Sequence, residues 1–213
     1  MTTSLRIEEL MYCTDPFPHL IIKPDYEIYE YAKSVYPHPS ELKPGVRTNE
    51  DLTDERLGEY LDYIVDVAYN QFESVLKEEY QKMNFDTLEK RKRYLFSYNT
   101  PNETTNIVRG LHLDNGTKII VGLWYFKDPD DDAGGDLFLA NPLTKQSATF
   151  KYQENAIILF PNTMKAWHAV TPRKPTMKMR RFINIILESD TFLHSYNKTG
   201  IEEPKEKVVN NFR

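Results

Sequence analysis

A mainly β fold with helices on its N-terminal side is what this chain predicts, and three features predict it. From Arg93 onward, eight short runs rich in β-branched and aromatic residues follow one another, separated by turn-rich pieces and not by helices. Ahead of them lies one long apolar stripe at helical spacing. The chain also holds 14 Tyr and 11 Phe, and 40% of its 213 residues are hydrophobic, which suits a folded core and argues against disorder. Many short strands without alternating helices make a sandwich or barrel, not a doubly wound parallel sheet. The length suits one domain over residues 1–213, with helical support about 23–90, a β core about 93–190 and a polar, charged tail 197–213.

The elements follow in order. Residues 1–15 form a short lead with room for an edge strand, and Phe17 to Ile22 reads as a strand after a proline turn. Asp25 can cap a helix carrying Ile28, Ala32 and Val35, which Pro37 and Pro39 end. Thr53 can cap a longer helix, with Asp54 and Glu55 at its positive end. Its stripe is Leu57, Leu61, Ile64, Ala68, Phe72 and Val75, which would pack on the outside of a sheet. The Lys90–Arg93 cluster reads as a solvated helix end or loop. Strands are then expected at Tyr94–Tyr98, Ile107–Leu113, Lys118–Phe126, Asp136–Ala140, Ala148–Tyr152, Ala156–Phe160, Lys165–Val170 and Met179–Leu187. The acidic stretch Asp128–Asp132 lacks the glycine and terminal glutamate of a calcium loop, so it reads as a solvent-exposed connection closed by Gly134 and Gly135.

Composition narrows the function. A net charge of −5 and the absence of an extended basic patch argue against a nucleic-acid surface. Cys13 is the single cysteine, so no intramolecular disulfide can form, and a reducing cytoplasm is the expected compartment. No apolar stretch is long enough to span a bilayer, and no basic-then-apolar leader is present.

The candidate chemistry centres on Leu111-His112-Leu113-Asp114. In a strand, residues two apart project from one face, so His112 and Asp114 can aim at one point. His168, in the run Lys165–Val170, supplies a second imidazole. Two histidines and a carboxylate on one face of a metal leave its other positions open, which suits non-haem Fe(II). The same ligand types occur in zinc hydrolases, so the ligands alone do not decide the metal. Arg180 and Arg181 open the apolar run Phe182–Leu187, where an arginine can hold an acidic co-substrate by paired hydrogen bonds. If Ile183 and Ile185 face the core, Arg180, Phe182, Asn184 and Ile186 share the opposite face, which favours Arg180; a one-residue register change would favour Arg181.

At these residues the chain resembles the 2-oxoglutarate- and Fe(II)-dependent dioxygenases, and most closely their prolyl-4-hydroxylase-like branch of small bacterial and phage type. The resemblance is widest between Tyr98 and Glu188. It rests on His112–Asn115, Leu123–Phe126, Gly134–Leu139, Phe160–Asn162, His168–Val170 and Arg180, in that order, with Asp15–Ile22 as a matching opening. It implies a distorted double-stranded β-helix, or jelly roll, with supporting N-terminal helices. It implies His112, Asp114 and His168 as Fe(II) ligands. Arg180 and Tyr125 would hold 2-oxoglutarate, with Tyr98 nearby in the pocket; a plain core aromatic is the other reading of Tyr125.

The implied reaction couples O2-driven decarboxylation of the keto-acid, giving succinate and CO2, to hydroxylation of an unactivated C–H bond. Ascorbate dependence stays open. A carboxylate at Asp114 favours hydroxylation, because related halogenases lack it. The implied substrate is a peptide or protein proline, with a free amino acid or small metabolite as the alternative. A nucleic-acid dealkylase of the AlkB type would carry a second arginine six residues into the last strand, where this chain has Ile186 and Leu187. A non-catalytic metal-binding jelly roll is the reading from outside enzymology.

Overall fold

The computed structural model describes residues 6–38, 47–99 and 109–194. In chain order its elements are β1 (Ile7–Cys13), β2 (His19–Pro24), α1 (Tyr26–Ser34), β3 (Arg47–Asp51), α2 (Glu55–Glu79), β4 (Lys90–Asn99), β5 (Arg109–His112), β6 (Lys118–Phe126), β7 (Leu137–Ala140), β8 (Ser147–Phe150), β9 (Glu154–Pro161), β10 (Trp167–Val170) and β11 (Arg180–Ser189). The expected tail 197–213 and most of the loop after Asn99 lie outside the described residues.

Both helices start on side-chain caps. Asp25 accepts the Glu27 N–H at the start of α1, and Asp54 accepts the Leu57 N–H at the start of α2. The cap of α2 is thus Asp54 and not Thr53, one residue later than expected. α2 buries Leu57, Tyr60, Leu61, Ile64, Val65, Ala68, Phe72 and Leu76. The stripe closes on Leu76, while Val75 is only half-buried. With 3.6 residues per turn, the inward direction after Phe72 falls on the residue four later.

Two antiparallel sheets carry the rest. The larger runs β1-β2-β9-β6-β11-β4-β3 and the smaller β5-β10-β7-β8. This is the jelly roll that the sequence led us to expect. One face of the larger sheet packs under the helices, where Leu20, Ile22, Trp124, Ile157, Leu159, Ile183 and Ile185 join the α2 stripe in one core. A second core lies between the sheets, with Val121, Tyr125, Ile158, Phe160 and Phe182 meeting Leu137, Leu139 and Phe150. Alternation along each strand divides its residues between the two cores. A cavity opens beside the second.

Three expectations are corrected. β3 was not anticipated, because Arg47-Thr48-Asn49-Glu50-Asp51 has no apolar alternation; it is an edge strand held by main-chain pairing to β4. Lys90–Arg93 is neither helix end nor loop but the outer end of β4, where Glu188 and Asp66 pair with Arg91 and Lys92. The acidic connection after β6 is not wholly in solvent. Asp131 is 1% exposed and binds Arg173 at 3.0 Å, while Arg181 holds Asp128. Removing one partner of such a buried pair strands a charge, so the loop is tied down.

α2 accounts for much of the helix-side core, so deleting its buried side chains tests the layering. Leu76→Ala is expected to cost about 2–5 kcal/mol, as other buried leucines do. Val75→Ala, on the half-buried edge, is expected to cost about 1 kcal/mol or less. Urea denaturation midpoints check the ranking, and equal losses would contradict it.

Candidate metal centre and its pocket

β5 and β10 are neighbours in the smaller sheet, and His112 lies directly opposite His168. Directly paired residues share a face, so the two rings meet with centroids 4.2 Å apart. Asp114 lies beyond the end of β5, so the expected strand parity does not deliver it. It arrives from the turn instead. Its Oδ1 is 3.9 Å from His112 Nε2, and its Oδ2 is 3.7 Å from His168 Nε2. One ligand atom from each of His112, Asp114 and His168 lies within 4.8 Å of the others.

The protonation states suit a divalent cation. His112 Nδ1 donates to the Gly110 carbonyl at 2.8 Å, and His168 Nδ1 to the Ala166 carbonyl at 3.1 Å. Each Nε2 lone pair is thereby turned into the cluster. His112 Nε2 is buried and has no hydrogen-bond partner among the described residues. A buried bare lone pair is unfavourable in protein alone, and a metal ion satisfies it. Burial, reinforced by His168 and Arg109, pushes His112 down to about 4. Burial also lowers His168. Burial by itself raises Asp114, but Lys118, His168, Arg109 and His112 outweigh it and hold this carboxyl well below the usual range. Both imidazoles are therefore neutral, and the carboxylate is charged, near pH 7.

The turn that carries Asp114 is fixed from outside the sheet. Asn162, fully buried after β9, donates from Nδ2 to the Asn115 carbonyl at 2.8 Å and the Lys118 carbonyl at 3.0 Å. The Leu193 N–H donates to the Gly116 carbonyl at 2.8 Å. A Cβ at Gly116 would sit 1.9 Å from the His194 carbonyl oxygen, so only glycine fits there. Asn162 belongs to the Phe160–Asn162 motif, but its placing role depends on a contact 44 residues away in sequence, which no local pattern reveals.

The three residues line a cavity of about 360 Å³ between the sheets, with Arg180, Asn184, Phe182 and Asn99 on its larger-sheet wall. Arg180 is 1% exposed. Its Nε donates to the Gly135 carbonyl at 2.8 Å and its Nη2 to the Tyr125 hydroxyl at 3.0 Å. Gly135, at φ +90°, leaves room for it, since a Cβ there would come within 2.9 Å of Arg180 Cδ. No carboxylate among the described residues pairs with Arg180. A buried guanidinium without an anion points to an anionic ligand. Arg181, on the opposite face of β11, is already neutralised by Asp128.

Tyr125 is fully buried in the core between the sheets and does not line the cavity; it reaches the site only through its hydroxyl, which holds Arg180. Tyr98 is a correction. It pairs with Arg181 across the ladder, sits in the helix-side core and bonds Glu50 at 3.2 Å. The residue paired with Arg180 is Asn99, and it lines the cavity. Sequence reasoning also missed Arg109 and Lys118, both on the cavity wall. Parity from Arg180 across the β4 ladder is the signal that finds Asn99; none was available for the other two.

No family profile and no curated protein sequence matches the chain. Solved structures do. HygX from Streptomyces hygroscopicus, solved with nickel and 2-oxoglutarate bound, superposes with a TM-score of 0.50 at 10% identity, over 80% of this chain and 82% of that one. The two chains share a fold. A Pseudomonas putida prolyl-4-hydroxylase gives a TM-score of 0.49 at 12% identity, over 76% of this chain and 82% of that one. A Trichoplax adhaerens prolyl hydroxylase, in complex with a hypoxia inducible factor peptide fragment, gives 0.47 at 15% identity, over 78% and 76%. Among the described residues no helix is long and apolar enough to cross a membrane.

The lowered histidines give a signed pH test. An imidazole whose folded pKa lies below its unfolded value near 6.5 lets the unfolded chain take up the proton first. The stability this imidazole contributes is present above pH 6.5 and is lost as pH falls toward 4. In chelator, the melting temperature should fall through that window, and His112→Gln should make the fall shallower. An unchanged slope in the variant would contradict the burial assigned to His112.

Proposed function

We propose that this protein is a 2-oxoglutarate- and Fe(II)-dependent dioxygenase that hydroxylates an unactivated C–H bond. One observation carries the reading: a His-Asp-His cluster with a bare, buried Nε2 shares a cavity with a buried arginine that lacks an anion. The donor set fits iron, since two neutral imidazoles and a carboxylate leave coordination positions for further ligands. With Fe(II) held by His112, Asp114 and His168, bound 2-oxoglutarate and O2 supply the oxidising chemistry, giving succinate, CO2 and the hydroxylated product.

The chain's own part is holding and shielding. Gly110 and Ala166 fix the proton on each Nδ1, so both Nε2 atoms stay available as ligands. Arg180, oriented by Gly135 and Tyr125, binds the far carboxylate of the keto-acid. Phe160, Phe182, Val121 and Leu137 line the cavity and keep water from the reacting carbon. Asn184 stands on the same wall and is held by Ser97, giving a polar contact above the apolar floor. Within the class, a peptidyl-prolyl 4-hydroxylase-like activity is the reading we favour, with a free amino acid or small metabolite as the alternative substrate. O2 and the keto-acid are the co-substrates, and the unpaired Cys13 suits a reducing cytoplasm.

Anaerobic titration of the apo-protein with Fe(II) and 2-oxoglutarate, followed in the visible region, tests the proposal. A weak metal-to-keto-acid charge-transfer band is expected in the wild type, absent in His112→Ala and requiring about tenfold more 2-oxoglutarate in Arg180→Ala, the loss of one charge-assisted pair. Gly135→Ala, which crowds Arg180, should shift the keto-acid requirement in the same direction by a smaller factor. If no band forms, the dioxygenase reading fails.

A further inference from the structure

We infer that Lys118 and Arg109 form an anion-binding site at the metal, and that the substrate carries a carboxylate seated there. This rests on the dioxygenase reading, because it assigns the charge of Asp114 to the metal. In the structure Lys118 Nζ lies 3.3 Å, and Arg109 Nη2 3.5 Å, from the same Asp114 oxygen, Oδ1. Neither cation pairs with any other carboxylate among the described residues. A divalent cation between His112, His168 and Asp114 takes the carboxylate's charge and repels both neighbours. Lys118 and Arg109 are then two cations beside an open coordination sphere, with their only anion occupied.

The charge balance of the cavity points the same way. Its wall carries Arg93, Arg109, Lys118 and Arg180 against Asp114 and Glu188. Arg93 and Glu188 are engaged with Asp51 and Arg91 at the rim. That leaves three cations facing one carboxylate, in a chain whose net charge is −5. A doubly charged metal and a doubly charged keto-acid cancel each other and leave this surplus unchanged. Arg180 answers the keto-acid; Lys118 and Arg109 remain. Their side chains are 23% and 39% exposed, so they sit at the mouth, where a substrate enters, and not at the floor. A guanidinium and an ammonium converging on one point suit a carboxylate oxygen, and a water-poor wall strengthens the contact. The pair would anchor the substrate beside the metal and reject its amide counterpart, whose binding would leave two cations unanswered.

Two measurements separate this inference from the reading it rests on. In the anaerobic Fe(II)/2-oxoglutarate complex, N-acetyl-glutamate amide should perturb the charge-transfer band at a concentration at least about tenfold lower than N-acetyl-glutamine amide. Lys118→Met and Arg109→Met, each read at an Fe(II) concentration that saturates its own metal site, should abolish that preference. In the metal-free Asp114→Ala protein, both cations are released without any metal, and calorimetry should detect acetate binding that Lys118→Met removes. If the band never forms, the dioxygenase reading fails and the acetate arm decides the anion site alone. Equal responses to acid and amide, silence from both, or no acetate binding in Asp114→Ala overturns the inference. A loss of 2-oxoglutarate affinity in Lys118→Met that persists at saturating Fe(II) does so too, since it would assign that cation to the keto-acid.

Discussion

The side-chain alternation of β11 is the constraint on which the site depends. β11 is flanked by β4 on one side, in continuous register, and by β6 on the other, in register from Phe182 to Leu187 with a shift only beyond it. Its even-numbered residues, Arg180, Phe182, Asn184 and Ile186, line the cavity, while Ile183 and Ile185 enter the helix-side core. A slip by one residue would exchange the two sets and bury Arg181 where Arg180 stands. The apolar core resists the exchange, because it would push two isoleucines into a polar cavity and an arginine under α2. The helical layer therefore determines which arginine faces the cavity, although no residue of α1 or α2 lies in the cavity wall.

The proposed metal centre is built differently. Two ligands come from neighbouring strands, where cross-strand pairing alone sets their approach. The third comes from a turn, and turns have no ladder to hold them. Here Asn162 and the chain around Leu193 and His194 supply the missing constraint through main-chain hydrogen bonds and the close approach at Gly116. The carboxylate must be both buried and charged, and the surrounding cations make that possible: without Lys118 and Arg109, burial would favour its neutral form. The same two cations that keep Asp114 ionised are the groups that the proposed metal would release.

Much of this was legible in the sequence, and the residues that were not share a cause. The apolar stripe of α2, the β6 strand and the order His112, Asp114, His168, Arg180 are local or periodic signals, because burial on one face imposes a period on the chain. The cap at Asp54, the end of the stripe at Leu76 and the pocket face of β4 each missed by one residue. At Tyr98 that residue matters, since neighbours on a strand face opposite cores, and Asn99 occupies the wall instead. β3 escaped because an edge strand held by main-chain bonds needs no apolar pattern. The buried pair Asp131–Arg173 escaped because an acidic run looks solvated until its partner, 42 residues away, is known.

By itself the sequence determined the β-rich class, the helical layer, the ligand types and the parity that favours Arg180, because each follows from composition or from a period shorter than one element. Only the tertiary structure decided that the histidines face each other across β5 and β10. It also decided that Asp114 reaches them from a turn, that Tyr98 lies behind the sheet, and that Lys118 and Arg109 stand beside the carboxylate. Those are matters of register and of contacts between distant segments, where a displacement of one residue reverses a side chain and no local energy term records the choice.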